Sequence, residues 1–526
     1  MSDPLSKAET IASKNCRIIL ESCHINRFNG NKSDKRILIV TDISLNVFKE
    51  DKKSLNEEDT LFWSDLSSYN FEKQIFEMNF GKKKKLRFDV ADENKEADTA
   101  FLNEKFNFII ASEKTLQELD SMKFNNNSVA KSITFGFLGR LNGLLVKGKI
   151  QPSSHLFNYL NRALTGSARQ FDFKTPENSD KIDSLYEPLL DAFQLIFNSS
   201  NVDQNKFESL SFGGFKKIDP FSAIAKPISN YAGLKHIFID CHNSKKFKDF
   251  CSAVKKSKSI KAISIGSFEM KKDSISQFKS LSSDIQLTSV SFHKDSVKDI
   301  KLLNDYFSSQ KFLKKIGLFN IKCVSKDPQK LFHPLGNLLS LSYLTLSNCD
   351  ISLDTIFQSI ESCMLPHLRI LDVSNNKSTF TNIPSHVPNG LQYIYANGIK
   401  WEGNSFTTFM KFICTREWHQ GMNLSLNNIS LENGSLDDSF EKINSYSLFP
   451  LSLLTWNSNS SLISEKFYEF LKLNKNLSSL SMDECFINNE PRTVELATLL
   501  ASDILPSLTN LKSLSISGQL ADKQPV

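Results

Sequence analysis

The side chains of this chain that could carry out chemistry are scattered rather than grouped. Nine histidines and nine cysteines are spread over 526 residues, without a phosphate-loop, His-Glu-x-x-His or Gly-x-Ser-x-Gly motif. His236 lies near Cys241 and His242, but zinc requires three or four ligands at fixed geometry, so we interpret these as loop or surface residues. We therefore expect a protein that is not an enzyme and that uses no metal or cofactor.

Basic residues near the N-terminus could bind an anionic surface. One group follows Gly81 at a predicted hairpin tip, and the other lies in a predicted loop before a strand. The predicted membrane-binding residues are Lys32, Lys35, Arg36, Lys82, Lys83, Lys84 and Lys85. Each lysine near an anionic membrane contributes about 1 kcal/mol, so we expect weak peripheral attachment to anionic lipids. The alternative is a solvated turn that keeps the hairpin soluble.

The overall composition excludes two classes of function. The formal charge of +6 comes from 64 basic and 58 acidic residues, which is too dilute for a nucleic-acid-binding chain. The polar start MSDPLSKAET lacks the apolar core of a secretion signal, and no apolar stretch reaches the roughly 18 residues that span a bilayer. We expect a soluble cytoplasmic protein with no nucleic-acid partner, peripheral at the plasma membrane if the lysines bind lipid.

The first 124 residues alternate between β-rich runs and turn signals. The runs lie at 17–28, 36–41, 44–48, 60–71, 74–80, 86–90 and 106–110. A helix is predicted to follow, with Ser112 as its cap and Leu116, Leu119 and Met122 along one stripe. Seven strands and one final helix resemble a pleckstrin-homology (PH) domain. This resemblance implies a membrane-facing role for the basic residues.

A regular apolar spacing, Leu-x-x-Leu-x-Leu or a close variant, fills the middle of the chain. The copies begin at Leu234, Ile260, Leu287, Leu313, Leu341 and Leu368, with steps of 26 to 28 residues. This period is typical of leucine-rich repeats with one strand and one helix per unit, and helical stripes lie between the copies, as at 247–254 and 353–360. We predict an α/β solenoid with a parallel inner sheet and outer helices, preceded by the β-rich PH-like domain. Cys349 falls where such repeats place a side chain that bonds to the turn backbone.

Less regular copies extend the repeat region in both directions. They lie at 171–173, 207–212, 391–396, 421–426, 451–456, 477–482 and 511–516. Runs at 133–137 and 141–146 are interpreted as strands that could cap the solenoid. The predicted domains are an N-terminal tail (1–14), the PH-like domain (15–124), a linker and solenoid cap (125–165), the repeat solenoid (166–520) and a C-terminal tail (521–526).

The strand pattern also predicts which side chains a partner could reach. In each copy the first, fourth and sixth residues point inward, so the third, fifth and seventh lie on the concave face. The predicted partner-binding residues are His236, Phe238, Phe319, Tyr343, Tyr393 and Tyr395, together with Asp240, Asp372 and Asp483 on the same face. Exposed aromatics are common anchors of protein interfaces. The alternative is ring stacking between strands, which only tightens the sheet.

A PH-like domain followed by a short join and ribonuclease-inhibitor-type repeats resembles the CARMIL family of actin regulators. The resemblance implies a cytoplasmic scaffold that is recruited to the plasma membrane and presents its repeats to protein partners in the actin cytoskeleton. The family's capping-protein-binding motif lies in a basic, Pro-rich tail beyond the repeats, and this sequence carries no residues that match it. Direct uncapping of actin filaments is therefore not predicted.

Two other readings stay open. PH and leucine-rich repeats also occur together in the PHLPP phosphatases, whose catalytic domain has no counterpart here. A GTPase-activating or inhibitor-type repeat protein would act through one charged rim residue such as an arginine, for which Arg369 and Arg416 are available.

Overall fold

A computed structural model describes most of the chain, as two compact units. The described residues are 3–13, 18–51, 54–82, 84–91, 95–124, 129–150, 154–166, 169–172, 182–197, 207–215, 221, 224–225, 228–229, 233–242, 245–257, 259–363, 365–402, 404–432, 434–486 and 491–518. Unit 1 comprises Met1–Lys235 and Lys245–Ser259, and unit 2 comprises His236–Ser244 and Ile260–Val526. The predicted C-terminal tail, 521–526, lies outside the described residues.

Unit 1 contains a short N-terminal helix, an antiparallel sheet and then further helices. Its strands are β1 (Ile19–Asn29), β2 (Lys32–Thr41), β3 (Ser44–Asp51), β4 (Ser54–Phe62), β5 (Leu66–Glu72), β6 (Ile75–Phe80) and β7 (Lys84–Val90), in the order β4-β3-β2-β1-β7-β6-β5. Its other elements are α1 (Pro4–Ala12), α2 (Lys95–Glu113), α3 (Leu116–Ser121), α4 (Ile133–Lys147), α5 (Ser154–Thr165), β8 (Gln170–Asp172), α6 (Ile182–Phe197), β9 (Ser209–Phe215) and α7 (Phe247–Lys256). The β-rich N-terminal part is therefore present, and α1 occupies most of the predicted tail.

The seven strands differ from the predicted set at two places. The run 60–71 is two strands separated by a 3₁₀ turn at Trp63–Asp65, where the buried indole of Trp63 donates a hydrogen bond to the Thr41 carbonyl at 2.9 Å. The run 106–110 is wrong as a strand, because it lies inside α2. The buried residues of α2 recur at helical spacing and pack against aromatic side chains of the sheet and its 3₁₀ turn. The ring centroid of Phe106 lies 5.6 Å from that of Trp63 and 5.3 Å from that of Phe76.

The cap predicted at Ser112 belongs to another residue. Thr115 begins α3 with a capping box, in which its hydroxyl accepts the N–H of Glu118 and the Glu118 carboxylate accepts the N–H of Thr115. Ser112 instead accepts the backbone N–H of Ser132 at 3.0 Å, just before α4.

The two strands predicted at 133–137 and 141–146 are wrong, since this segment is the helix α4. Two glycines explain the difference. A Cβ at Gly136 would lie 1.9 Å from the carbonyl oxygen of Ser112, and a Cβ at Gly139 would lie 2.9 Å from that of Asp42. A third glycine, Gly143, lies next to Ile43, where a Cβ would make an ordinary contact at 3.6 Å. The glycines weaken the local helix signal but let α4 approach α2 and the sheet closely.

Buried charges join these helices in unit 1. Arg140 on α4 forms a bidentate pair with Glu118, donates to Asp191 at 2.5 Å and donates to the Glu113 carbonyl at 3.0 Å, with its side chain only 6% exposed. The Glu113 carboxyl is buried beside it, and its Oε1 accepts no hydrogen bond from the described residues. Burial raises the pKa of Glu113 well above its ordinary value, so the neutral form is favoured in the fold.

Unit 2 repeats one strand and one outer segment. Its strands are β10 (His236–Cys241), β11 (Ala262–Gly266), β12 (Ser289–His293), β13 (Lys315–Phe319), β14 (Tyr343–Ser347), β15 (Ile370–Asp372), β16 (Tyr393–Tyr395), β17 (Lys400–Glu402), β18 (Met422–Ser425), β19 (Ser430–Glu432), β20 (Leu451–Thr455), β21 (Ser479–Ser481) and β22 (Ser513–Ser515). Its helices are α8 (Lys272–Ile285), α9 (Ile300–Phe307), α10 (Pro328–Leu335), α11 (Leu353–Cys363), α12 (Ser405–Cys414), α13 (Leu436–Asn444), α14 (Glu465–Leu473), α15 (Pro491–Leu499) and α16 (Leu505–Ser507). Shorter turns are the 3₁₀ segments Lys322–Lys326 and Ser460–Leu462 and the π segment Leu500–Ile504.

The sheet of unit 2 is the predicted parallel sheet. Strands β10 to β16, β18, β20, β21 and β22 follow one another in chain order, and β17 and β19 form a separate pair. The first positions of all six regular copies are buried, as are their fourth and sixth positions. These side chains meet the helices: Phe292 of β12, for example, lies 6.0 Å from Phe278 of α8. The alternate residues lie on the opposite side, which we call the open face and which corresponds to the predicted concave face.

Every strand from β11 to β22 in this sheet ends in a left-handed residue at the same place. The first paired residues of these strands align with one another, and the residue five positions further along has a positive φ in every case. These residues are Ser267, Lys294, Asn320, Asn348, Asn375, Gly398, Asn428, Ser458, Glu484 and Gly518. Asn and Gly adopt this conformation most easily. At Gly398 a Cβ would also lie 2.1 Å from Oδ1 of Asn375, so a larger residue would require the Asn375 side chain to move.

Side-chain hydrogen bonds link each turn to the next in the C-terminal half of the sheet. The backbone N–H of Asn427 donates to Oδ1 of Asn397, that of Asn457 to Oδ1 of Asn427, and that of Asp483 to Oδ1 of Asn457, each at 2.8 Å. Ser517 continues the series by donating its N–H to Asp483 at 2.6 Å. We call this series the amide ladder. It provides acceptors for backbone N–H groups that have no strand partner where the strands end.

One unit replaces its helix with an aromatic side chain. Residues 373–392, between β15 and β16, are all described and contain no helix. Phe380 is buried in this segment and contacts Phe357, Phe409 and Phe412 at 5.4 to 5.8 Å. The step from Leu368 to Leu391 is accordingly shorter than the others, at 23 residues.

The buried carboxyl of Glu113 gives a pH-dependent stability. A carboxyl whose folded pKa is raised stabilises the fold below its ordinary pKa, and this contribution is lost as pH rises through the folded value. Glu113→Gln keeps the size of the side chain and stays neutral at every pH. As the pH is raised from acidic to mildly alkaline, we expect the unfolding free energy of this variant to fall less than that of the wild type. Urea unfolding at several pH values measures this difference. Parallel pH profiles for the two proteins would contradict the assignment.

Candidate binding face

The residues predicted for partner binding lie on the open face in two groups. The first, which we call the His–Phe cluster, contains His236, Phe238, His293 and Phe319 on β10, β12 and β13. The second, which we call the tyrosine cluster, contains Tyr343, Asp372, Tyr393 and Tyr395 on β14, β15 and β16. All of these side chains are partly exposed, while the residues between them along each strand are buried.

Three rings of the His–Phe cluster, those of Phe238, His293 and Phe319, contact one another in series. The imidazole of His293 lies parallel to the ring of Phe319 with centroids 4.4 Å apart, and Phe238 meets its edge at 5.2 Å. Gly317 makes room for this stack, because a Cβ there would lie 2.6 Å from Cε2 of Phe319. The rings therefore tighten the sheet as well as presenting aromatic surface.

Two serines connect the histidines of this cluster. Nε2 of His236 lies 3.0 Å from Oγ of Ser264, which accepts from Oγ of Ser291 at 2.7 Å. Oγ of Ser291 also lies 2.9 Å from Nε2 of His293. Burial lowers the pKa of His236, which favours the neutral imidazole. The result is a hydrogen-bonded chain across β10, β11 and β12 that offers polar edges beside the aromatic stack.

His293 is the member of the cluster that the sequence reasoning missed. It is the seventh residue of the copy that begins at Leu287, so the rule that found Phe319 also points to it. Its imidazole makes the closest ring contact of the cluster.

The three aspartates expected on this face differ in the ion pairs and hydrogen bonds that their carboxylates form. Asp240 is 8% exposed and pairs with Lys294 at 2.5 Å. Asp483 accepts hydrogen bonds from the hydroxyls of Ser481 and Ser515 and from the N–H of Ser517, which lower its pKa. Asp372 accepts the N–H of Ser374 at Oδ1, and among the described residues no cation pairs with it.

The three tyrosines border Asp372 without stacking on one another. Tyr343 and Tyr393 occupy the same register row on either side of Ile370, and Tyr395 is next to Asp372. Within the described structure no ring of the three contacts another. Burial raises the pKa of Tyr395, as do Tyr343, Tyr393 and Asp372 nearby, and burial and Asp372 raise that of Tyr343.

The predicted membrane-binding residues do not share one environment. Lys32, Lys35 and Lys82 are exposed, and Lys83 lies outside the described residues. Lys84 and Lys85 are each 58% exposed and pair with Asp59 at 3.3 Å and Glu77 at 3.8 Å.

Arg36 does not fit a membrane-facing role. Its side chain is 9% exposed, and its Nε donates to Glu58 at 2.8 Å, a contact that together with Arg27 lowers the pKa of Glu58. Arg27 on β1 also pairs with Glu58 and Asp59 on β4, at 3.0 and 2.9 Å. In a flat sheet these strands would be about 14 Å apart, so the sheet curls to bring them together. The sequence could not show this pairing, because it depends on the curl.

The two arginines that could act in a GTPase-activating or inhibitor-type protein differ in their contacts and exposure. Arg416 donates to the carbonyls of Pro384 and Ser385 at 2.7 and 3.1 Å and lies 5.4 Å from the Phe412 ring, so its guanidinium is held by the chain. Arg369 is exposed immediately before β15. Only Arg369 is placed to reach another molecule.

The structural role predicted for Cys349 is confirmed. Its thiol is buried and donates to the Leu318 carbonyl at 3.4 Å, and burial raises its pKa to about 12. Asn376 takes the equivalent place in the next copy, where Oδ1 accepts the N–H groups of Cys349 and Ile351.

Neither a metal cluster nor a membrane-crossing helix is seen in the part of the chain that the structure describes. No three His, Cys, Asp or Glu side chains there are grouped to hold a metal ion. None of the helices there combines the length and apolar character that crossing a bilayer requires.

Comparisons with known proteins add little to this description. No protein-family model matches the chain, and a search of curated proteins found no relative. Among solved structures, the chain is similar to the crystal structure of an internalin from Listeria monocytogenes, with 14% identity, a TM-score of 0.31, and coverage of 64% of this chain and 90% of that one. The assignment of leucine-rich repeats therefore rests on the repeat spacing and on the observed strand register.

Gly317 provides a test of the ring stack. We expect Gly317→Ala to displace Phe319, to separate it from His293 and to lower the unfolding free energy by about 1–3 kcal/mol, as overpacking usually does. NMR shifts of the His293 ring and urea unfolding report the two effects. Gly390→Ala is the matched control, because its Cβ would meet nothing closer than 3.7 Å. Unchanged His293 shifts in Gly317→Ala would contradict the stacked arrangement.

Proposed function

We propose that this chain is a non-enzymatic scaffold that binds a protein partner on the open face of unit 2. The supporting observation is the pair of partly exposed aromatic clusters on strands whose side chains on the opposite face are buried. Aromatic residues with polar edges are the usual anchors of protein interfaces, because they bury a large area and lose little conformational freedom. The parallel strands hold these anchors in fixed register, which reduces the entropic cost of binding.

The resemblance to the CARMIL family suggests the class of partner. It favours proteins that act in the actin cytoskeleton, at the cytoplasmic side of the plasma membrane. The seven-stranded sheet followed by α2 supports the PH-like interpretation of residues 15–124. The GTPase-directed alternative would place the partner at Arg369, next to the tyrosine cluster.

Affinity capture with open-face variants tests the proposal. The wild type, Phe238→Ser/Phe319→Ser and Tyr343→Ser/Tyr395→Ser are used to capture proteins from cytosolic extract, and bound proteins are quantified by mass spectrometry. We expect partners of the wild type to be lost with at least one variant, because removing an aromatic anchor weakens binding by about 2 kcal/mol or more.

The matched control is Phe312→Ser/Leu339→Ser, which removes apolar side chains that are 47% and 67% exposed in loops away from the open face. This control should capture the same proteins as the wild type. Circular dichroism confirms that each variant is folded. Capture that is equal for all four proteins would refute the proposal.

As a second function, we propose weak attachment of unit 1 to anionic membranes. The exposed lysines at the β6–β7 hairpin support it, since Lys82, Lys84 and Lys85 follow the left-handed Gly81 at its tip. The carboxylates of Asp59 and Glu77 offset part of this charge, and Arg36 contributes nothing. We therefore expect binding of low affinity that salt weakens.

Vesicle sedimentation tests this attachment. We expect the wild type to sediment with phosphatidylcholine vesicles that contain phosphatidylserine, and the Lys82 to Lys85 alanine variant to sediment less. A variant with alanine at Lys255, Lys256, Lys271 and Lys272 loses the same charge elsewhere and should behave as the wild type. Equal sedimentation of the wild type and the hairpin variant would show that these lysines do not bind membranes.

A further inference from the structure

The tyrosine cluster combines three features that point to one kind of ligand. Two tyrosines flank a half-buried aliphatic side chain, and a carboxylate lies on the same face. The register places Ile370 between Tyr343 and Tyr393, and Asp372 two residues further along the same face. Because neighbouring strands are about 4.8 Å apart, the backbones of the two tyrosines are roughly 10 Å apart, with Ile370 between them.

The carboxylate of Asp372 is available to a ligand. Oδ1 accepts the N–H of Ser374 at 3.0 Å, and Oδ2 accepts no hydrogen bond from the described residues. On the same face, Asp240 pairs with Lys294 and its other oxygen is buried, while Asp483 accepts three hydrogen bonds. Of these three aspartates, Asp372 is therefore the one that is partly exposed and pairs with no cation or set of donors among the described residues.

The surrounding rings favour the same charge. The face of an aromatic ring carries negative potential and attracts cations, most strongly where water is partly excluded. Burial, together with nearby Asp372, raises the pKa values of Tyr343 and Tyr395, so both phenols stay neutral beside the carboxylate. Lys315 on β13, which pairs with β14 on the side opposite β15, places its ammonium 6.0 Å from the ring centroid of Tyr343.

Other ligands fit this site less well. An apolar side chain would cover Asp372 without pairing it, and desolvating an unpaired carboxylate is costly. An anion would be repelled. Among cations, a guanidinium is planar, stacks on aromatic faces and can bond a carboxylate through two N–H groups, whereas an ammonium is a compact and strongly hydrated charge.

We propose that Tyr343, Asp372, Tyr393 and Tyr395 form a receptor for an arginine side chain of the protein partner. The arginine stem lies over Ile370 between Tyr343 and Tyr393, and its guanidinium pairs with Asp372. This inference rests on the proposed partner binding at the open face and specifies its chemistry. The net charge of +6 works against general attraction of basic peptides, so binding of this kind must come from the local site.

A peptide selection followed by titration tests the receptor. A phage-displayed library of random dodecapeptides is selected on the full chain, and the most enriched peptide is titrated by fluorescence anisotropy. We expect arginine to be enriched over the unselected library. Replacing that arginine by citrulline, a neutral analogue of the same shape, should weaken binding about tenfold or more.

Variants of the chain locate the contact. Asp372→Asn keeps an oxygen for the N–H of Ser374 and should weaken the selected peptide about tenfold or more, whereas Asp305→Asn, which removes an exposed charge on α9, should leave binding unchanged. Tyr393→Leu should weaken it as well, through loss of the ring.

The outcomes separate this inference from the proposed function. Selected peptides without arginine enrichment, or with equal affinity for Asp372→Asn and the wild type, would overturn the arginine receptor. If such peptides still lose affinity for Phe238→Ser/Phe319→Ser or Tyr343→Ser/Tyr395→Ser, binding at the open face stands. Recovery of no peptide would count against the receptor, and the capture experiment then decides the proposed function on its own.

Discussion

The register between successive parallel strands is the constraint on which unit 2 depends. Each strand of the main sheet from β11 onward ends in a left-handed residue at the same row, and the amide ladder carries hydrogen bonds from one turn to the next. A shift of one residue would exchange the buried and open faces of a strand. Fixed register therefore keeps the aliphatic rows in the core and the alternate rows on the open face.

This register also gives the two aromatic clusters different characters. In the His–Phe cluster the rings contact one another, so part of their surface stabilises the sheet. In the tyrosine cluster the bordering rings flank Ile370 and Asp372 and stay apart. The ring contacts of the first cluster stabilise the sheet, whereas the second contains Asp372, with which no cation of the described residues pairs. The ring-stacking alternative from the sequence thus applies to one cluster and not to the other.

Unit 1 shows how much charge a small module can satisfy internally. Arg27 and Arg36 converge on Glu58 because the sheet curls, and Arg140 joins α4 to Glu118 and Asp191. The number of basic residues in the sequence therefore overestimates the positive charge that is exposed on the surface of unit 1. A buried ion network of this kind is costly to break, because removing one partner leaves the other charge without compensation.

The sequence by itself determined the repeat strands of unit 2, the buried positions within them and the face on which His236 to Tyr395 lie, because period and alternation are local properties of the chain. It also indicated the β-rich N-terminal part, although 106–110 and the two runs of α4 were assigned as strands. Only the tertiary structure decided those segments, since the glycines of α4 are explained by backbones that approach from elsewhere in unit 1. Tertiary contacts likewise decided that Arg36 is buried, that His293 joins Phe319 and that Asp372 stays unpaired. Each of these features depends on contacts between residues that are distant in the sequence, and the spacing of residues along the chain does not predict such contacts.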